Sequence, residues 1–167
     1  IDPNLADEVG ETALIVAARE GHIDIVRALL ADQRVDPNLA DEHGNTALIA
    51  LVLFLRGDHF DIIRALLSDE RVDPNLADED GDTALIWAVR LGHGDILRVL
   101  LTDERIDPNH DNNRGGTALV WAACEGHIDI VRALLADERV NPNLANYRRE
   151  TALTLAAENG HSDIVRA

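Results

Sequence analysis

The chain has 167 residues, 46% of them hydrophobic, and its 15 Lys and Arg residues against 31 Asp and Glu residues give a formal charge of −16. This length predicts a single domain with enough apolar material for a core, and the sole cysteine, Cys124, favours a reducing, intracellular setting in the cytoplasm or nucleus. The negative charge excludes nucleic acid and anionic membrane surfaces as favoured partners, because neither offers these carboxylates a counter-charge.

Two short sequences recur at the same intervals along the whole chain. Thr-Ala-Leu begins at residues 12, 46, 83, 117 and 151, and Pro-Asn begins at residues 3, 37, 74, 108 and 142. Both series advance by 34, 37, 34 and 34 residues. A sustained period of this size predicts a solenoid whose units bury their apolar faces on one another.

Each unit predicts a turn, a helix, a second turn, a second helix and an extended loop, as the first unit illustrates. The stretch from Asp7 to Gly10 suits a type I turn, and Thr12 fits the N-cap of a first helix from Ala13 to Glu20. Apolar residues at helical spacing predict a second helix from Ile23 to Ala31. Pro37 cannot continue this helix because it lacks the backbone N–H, so an extended loop follows.

Residues 78 to 101 read DEDGDTALIWAVRLGHGDILRVLL. This stretch, like its counterparts in the other units, resembles the ankyrin repeat pattern D-x-x-G-x-T-P-L-H-x-A-A-x-x-G-H-x-x-I-V-x-x-L-L, with Ala at the family's Pro position. The resemblance implies an all-α ankyrin-repeat solenoid of about five helix-turn-helix units with β-turn or hairpin loops. The units span residues 7–40, 41–77, 78–111, 112–145 and 146–167 of one domain, and the last is truncated.

The second unit carries an insertion, because Thr46 to His59 spans 13 residues where the equivalent stretch of every other unit spans 10. The extra residues predict a first helix about 4.5 Å longer, at about 1.5 Å per residue. Phe54 and Leu55 are expected to fill the gap that the insertion creates, since large apolar side chains are mostly buried. The alternative is that they are exposed anchors for a partner. Asp58 stands where the other units have glycine.

Positions that differ between copies of one unit are the candidates for contacting a partner, because the shared positions are needed for folding. The resemblance implies that these candidates lie on the hairpin tips and the adjoining first helices, which line a concave surface. They are Glu42, His43, Asn45, Glu79, Asp80, Asp82, Arg90, Leu91, Arg114, Glu125, Tyr147 and Arg148. The tips of the first three units are acidic and those of the last two add arginines, so we expect a protein partner with a basic or mixed-charge segment.

Other interpretations remain open. Acidic tips also keep a repeat array soluble, and near-identical copies such as the recurring HIDIVRALLAD favour a structural or engineered scaffold or spacer with no specific ligand. Trp87 and Trp121 share one register, which predicts packing between units, with a place in the groove as the alternative. Arg149 replaces the turn glycine, so we expect the fifth hairpin to be strained or rearranged.

The residues suited to catalysis or metal binding do not form a convincing set. The chain contains no Lys, which excludes a P-loop lysine and a Schiff base. Cys124 lies three residues before His127, but no third orienting group or oxyanion site accompanies the pair. One histidine recurs per unit, and packed helices lie about 8–10 Å apart, too far for two copies to share a zinc ion. We therefore expect no enzymatic activity, no cofactor and no metal.

The two ends of the chain fall inside repeat units. Ile1 lies in a loop and Ala167 in a second helix, whereas solenoids normally close with polar-faced units. We expect either further chain beyond these residues or apolar ends that stack between molecules.

Overall fold

The computed structural model describes residues 1–54 and 59–167, which form ten α-helices in five pairs. The first helices of the pairs are α1 (Ala13–Arg19), α3 (Ala47–Leu53), α5 (Ala84–Arg90), α7 (Ala118–Glu125) and α9 (Ala152–Glu158). The second helices are α2 (Ile23–Ala31), α4 (Phe60–Ser68), α6 (Gly94–Leu101), α8 (Ile128–Leu135) and α10 (Ser162–Val165). First helices pack against first helices and second helices against second helices. The predicted all-α repeat solenoid is confirmed.

A threonine begins every first helix and a histidine precedes every second helix. The hydroxyl oxygens of Thr12, Thr46, Thr83, Thr117 and Thr151 each accept a hydrogen bond from the backbone N–H three residues later. This bond satisfies one of the N–H groups that have no partner inside the helix. Each second helix has an aspartate in its first turn, where the helix dipole favours negative charge.

Tight β-hairpin turns connect successive pairs. One antiparallel bridge closes each turn, for example between Ala77 and Thr83. The turn glycines of the first four hairpins have φ between 73° and 82°, a region that side chains disfavour. A Cβ atom at Gly81 would lie 2.7 Å from the backbone nitrogen of Asn113 in the next hairpin. Glycine is therefore required both for the backbone angle and for the close approach of neighbouring turns.

Backbone hydrogen bonds join each hairpin tip to the next one. The N–H groups of Glu42, Glu79, Asn113 and Tyr147 donate to the carbonyl oxygens of Val9, His43, Asp80 and Arg114, respectively, at N···O distances of 3.0–3.3 Å. The hairpins thus form one continuous ladder along the solenoid, which we call the hairpin ladder.

The loops that follow the second helices are held by asparagine and arginine. The side-chain amide of Asn38 donates to the carbonyl of Arg71 at 2.7 Å, and its oxygen accepts from the N–H of Asp73 at 2.8 Å. Asn4, Asn75 and Asn109 make equivalent bonds. Arg71 also pairs with Asp69 and donates to two backbone carbonyls of the preceding unit. Each loop therefore binds its unit to the next.

The apolar core is completed by contact between units. Equivalent leucines of the first helices and isoleucines of the second helices are buried, namely Leu14, Leu48, Leu85, Leu119, Ile62, Ile96 and Ile130. Leu153 in the fifth unit is 58% exposed at the same position, and Ile25 in the first unit is 50% exposed. A neighbouring unit is what covers these side chains elsewhere in the array.

The longer first helix predicted for the second unit is wrong. Helix α3 has seven residues, the same number as α1 and α5 on either side of it. It ends at Leu53, and Phe54 leaves the helix with φ −110° and ψ 16°. Phe54 is 52% exposed, so it does not fill a gap. Leu55 and Asp58 lie outside the described residues.

Candidate partner-binding surface

The hairpin ladder places the exposed tip side chains in one row. This tip row consists of Glu8, Glu42, His43, Glu79, Asp80, Arg114, Tyr147 and Arg148, all of which are exposed. Tyr147 is 72% exposed. Leu91 and Glu125, also predicted contacts, are exposed at the C-terminal ends of α5 and α7. The charge of the tip row changes from acidic in the first three units to basic in the last two.

Two of the predicted contact residues are not on the surface. Asp82 is wholly buried, where it accepts a hydrogen bond from the Asn112 side chain at 2.7 Å and forms an ion pair with Arg90. Asn45 is also buried, and its side chain donates to the Asp41 carboxylate at 3.0 Å. The assignment of Asp82 and Asn45 to a partner contact is wrong, because the residue just before the N-cap threonine turns inward from the hairpin.

Arg90 connects the third and fourth units through the two tryptophans. Its guanidinium carbon lies 4.6 Å from the centroid of the Trp87 ring and 5.0 Å from that of the Trp121 ring. The positive charge is attracted to both ring faces, so the two indoles pack between units through Arg90. Burial raises the pKa of the Asp82 carboxyl group, and the Asn112 hydrogen bond and the Arg90 charge partly oppose that rise.

The two indole N–H groups have different surroundings. Trp87 Nε1 donates to the Asp78 carboxylate at 2.7 Å. Trp121 Nε1 is buried without a hydrogen-bond partner among the described residues. Asn112 stands where Asp78 would be in the fourth unit, and its oxygen is occupied by the backbone N–H groups of residues 114 and 116 at 3.0 Å. An unpaired buried donor costs about 1–3 kcal/mol, so it requires an explanation.

A cavity of about 520 Å³ lies beside Trp121, between the fourth and fifth units. The predicted contact residues Arg114, Tyr147 and Arg148 all line it. The Arg114 guanidinium carbon lies 5.9 Å from the centroid of the Trp121 ring. We call this space the junction cavity. It is the place where the structure brings together tip residues and a first helix.

The unpaired Trp121 N–H was not predicted, although the sequence contains a signal for it. In the third unit Asp78 lies five residues before the N-cap threonine and Asp82 lies directly before it. In the fourth unit these two positions hold Asn112 and Gly116. Comparing the two tryptophan-bearing units at these positions shows that the fourth lacks both carboxylates.

The fifth hairpin keeps the shape of the other four in spite of Arg149. Asn146 accepts the Arg149 N–H at 2.8 Å through its backbone carbonyl, and a bridge joins Ala145 to Thr151. Among the described residues Arg149 is the only non-glycine residue with positive φ, at 66°. The expected backbone strain is therefore present, and the expected rearrangement is not.

Three of the repeated histidines, His59, His127 and His161, pack against the glycine that follows the first helix of the preceding unit. A Cβ atom at Gly126 would lie 2.6 Å from the His161 ring.

Among residues 1–54 and 59–167, no three His, Cys, Asp or Glu residues cluster in a way that could hold a metal ion. Burial raises the pKa of the free Cys124 thiol, which lowers its thiolate fraction. None of the helices in the described part of the chain combines the length and apolar character needed to cross a membrane.

Comparison with known families agrees with this architecture. A family model described as Ankyrin repeats (3 copies) matches residues 49–112 and 104–167, and a second, described as Ankyrin repeats (many copies), matches residues 1–49. Together the matched ranges span the chain. A search of curated proteins found no match.

Proposed function

This chain belongs to the ankyrin repeat family, and we propose that it binds a protein partner through the tip row and the adjoining ends of its first helices. Ankyrin repeats are generally protein–protein interaction modules and are typically non-enzymatic. The observation that carries the proposal is the hairpin ladder, which fixes exposed side chains from successive units in one row. Such a preordered surface loses little conformational freedom when it binds.

The partner proposed for this surface carries a basic segment. That segment contacts the acidic half of the tip row, which consists of Glu8, Glu42, Glu79 and Asp80. Two further acidic residues near these tips, Glu11 and Asp82, already have partners in Arg19 and Arg90. Opposite charges speed the encounter of two proteins and reject acidic competitors, and added salt weakens the attraction because these groups are exposed.

The test is to select peptides from a displayed random library on the intact chain and to measure their affinity by fluorescence anisotropy. The variant Glu42→Arg/Glu79→Arg/Asp80→Arg reverses three charges of the acidic half. The matched control reverses three exposed charges in the loops after the second helices, Glu70→Arg/Glu104→Arg/Glu138→Arg. Both variants must retain the helicity and melting temperature of the original chain.

We expect the selected peptides to be rich in Lys and Arg. The tip variant should weaken their binding about tenfold or more, because each exposed charge pair is worth up to about 1 kcal/mol. The control should bind them nearly as the original chain does. Equal affinity for both variants, or a selection that yields no binder, would refute the proposal. The alternative would then be favoured, a structural or engineered repeat scaffold without a specific ligand in this segment.

End-to-end self-association of this chain is a second proposal, supported by the exposed apolar side chains of Ile25 and Leu153. Stacking the fifth unit of one copy on the first unit of another would bury both, as neighbouring units do elsewhere. Such a heterologous contact does not close and would form open chains of molecules. Sedimentation velocity over a concentration series should show association that Leu153→Glu abolishes. The control Leu135→Glu, also at an exposed position, should leave it intact.

A further inference from the structure

The junction cavity combines an apolar wall with hydrogen-bond donors. Val120, Leu155 and Cys124 contribute to the wall. The donors are the guanidinium groups of Arg114 and Arg148, which line the cavity together with the Trp121 ring. Guanidinium groups donate hydrogen bonds and accept none, so the group that completes this cavity must be an acceptor.

In the third unit, side chains of the chain itself pair with the equivalent donors. There the Asp78 carboxylate accepts the indole N–H of Trp87, and the Asp82 carboxylate pairs with Arg90. The fourth unit has Asn112 and Gly116 at these positions and Cys124 in place of the arginine. Gly116 has no side chain that could accept the indole N–H, and it packs directly against the ring, since a Cβ atom there would lie 2.6 Å from Trp121 Nε1. Two carboxylates are therefore missing where a donor remains.

The charges around the cavity favour an anion. Neither Arg114 nor Arg148 forms an ion pair within the described part of the chain. Glu150 also lines the cavity, and its carboxylate accepts a hydrogen bond from the Asn146 side chain at 2.8 Å. Two positive charges against one negative charge leave the cavity locally positive, in a chain whose formal charge is −16.

We infer that the junction cavity binds the carboxylate of an acidic side chain in the protein partner, which pairs with Arg114 and Arg148 beside the Trp121 ring. This inference deepens the proposed function and rests on it. The aliphatic part of the bound side chain lies against the apolar wall, which an inorganic anion would leave uncovered. Charge-assisted hydrogen bonds to guanidinium groups distinguish a carboxylate from a neutral amide. The partner segment is thus basic where it meets the first three tips and acidic at the junction cavity.

The test is to follow the indole N–H signals of the intact ¹⁵N-labelled chain by NMR. The chain has two tryptophans, so there are two such signals, and a Trp87→Phe variant assigns them. The probes are acetyl-glutamyl-leucine amide and its uncharged counterpart acetyl-glutaminyl-leucine amide, titrated in about 0.15 M salt so that the distant acidic residues are screened. Inorganic phosphate at the same concentrations is a third probe.

We expect the glutamyl peptide to move the Trp121 signal saturably and to leave the Trp87 signal in place, because Asp78 already holds the Trp87 N–H. The glutaminyl peptide should bind about tenfold more weakly, since a charge-assisted hydrogen bond is roughly twice as strong as a neutral one. Equal binding of the two peptides, movement of both indole signals together, or no movement would overturn the inference. So would an equal response to phosphate, which would indicate a general anion site.

Two variants test the geometry. Arg114→Gln and Arg148→Gln should each weaken binding of the glutamyl peptide, whereas the control Arg132→Gln, at an exposed position on α8, should not.

Failure of this inference is distinguishable from failure of the proposed function. Basic peptides that still lose affinity on the tip variant show that the tip row binds a partner, whatever happens at Trp121. Equal responses to the glutamyl and glutaminyl peptides in that case overturn the junction cavity alone.

Discussion

Replacing Arg149 by glycine should stabilise the fifth unit. Arg149 holds the turn position that glycine fills in the other four hairpins, and its φ of 66° is in the left-handed region. Its side chain is exposed and forms no ion pair with any described residue, so the substitution removes strain without removing such a contact. Tyr147 and Arg148 in the same turn remain unchanged.

The size of the effect follows from two opposing contributions. A side chain in the left-handed region costs about 1–2 kcal/mol. Glycine gains conformational freedom in the unfolded chain, which returns about 0.5–1 kcal/mol of that cost. The net gain is about 0.5–1 kcal/mol, which for a chain of this length raises the melting temperature by about 1–4 °C.

Hydrogen exchange of the backbone amides from Asn146 to Thr151 is the sharpest assay, because the strain is local. In the original chain we expect these amides to exchange faster than those of the other four hairpins, and Arg149→Gly should slow them about two- to fivefold. The control Arg148→Gly should not slow exchange, because Arg148 does not have a positive φ. Uniform protection of all five hairpins, or equal effects of the two glycine variants, would refute the reasoning.

Two further predictions concern the buried and paired aspartates. Asp82→Ala should lower the free energy of unfolding in urea by about 2–3 kcal/mol, because it leaves Arg90 and Asn112 without their partner. Asp82→Asn should lower it less, and equal losses would contradict the role of Asp82 as their partner. Stability should fall on acidification below about pH 4, because arginine hydrogen bonds lower the pKa values of four aspartates and the unfolded chain binds their protons first. They are Asp32, Asp69, Asp103 and Asp137. The pKa of Asp82 is raised, so protonation of this carboxyl group favours the folded chain and partly offsets the loss of stability in acid. In Asp82→Asn the free energy of unfolding should therefore fall more steeply with decreasing pH. An unchanged slope would contradict the raised pKa of Asp82.

The sequence by itself determined the order and nature of the elements. The Thr-Ala-Leu and Pro-Asn series, the N-cap threonines and the turn glycines act within a few residues of chain, so each unit specifies its own helices and turns. The expected second helix of the first unit matches α2 at both ends, and the first helix ends one residue early at Arg19. The strained left-handed turn at Arg149 was predicted for the same reason.

Only the tertiary structure decided which side chains of the tips remain available. In sequence Asp82 cannot be told from the exposed acidic residues beside it. In the structure it is buried and accepts a hydrogen bond from Asn112, 30 residues away. The N–H of Trp121 is unpaired because its own hairpin lacks the carboxylate with which Asp78 accepts the Trp87 N–H, and only the structure shows that no other described residue replaces it. Phe54 is exposed where α3 ends. Local signals set the backbone of each unit, whereas the exposure of a side chain is decided by what packs against it after folding.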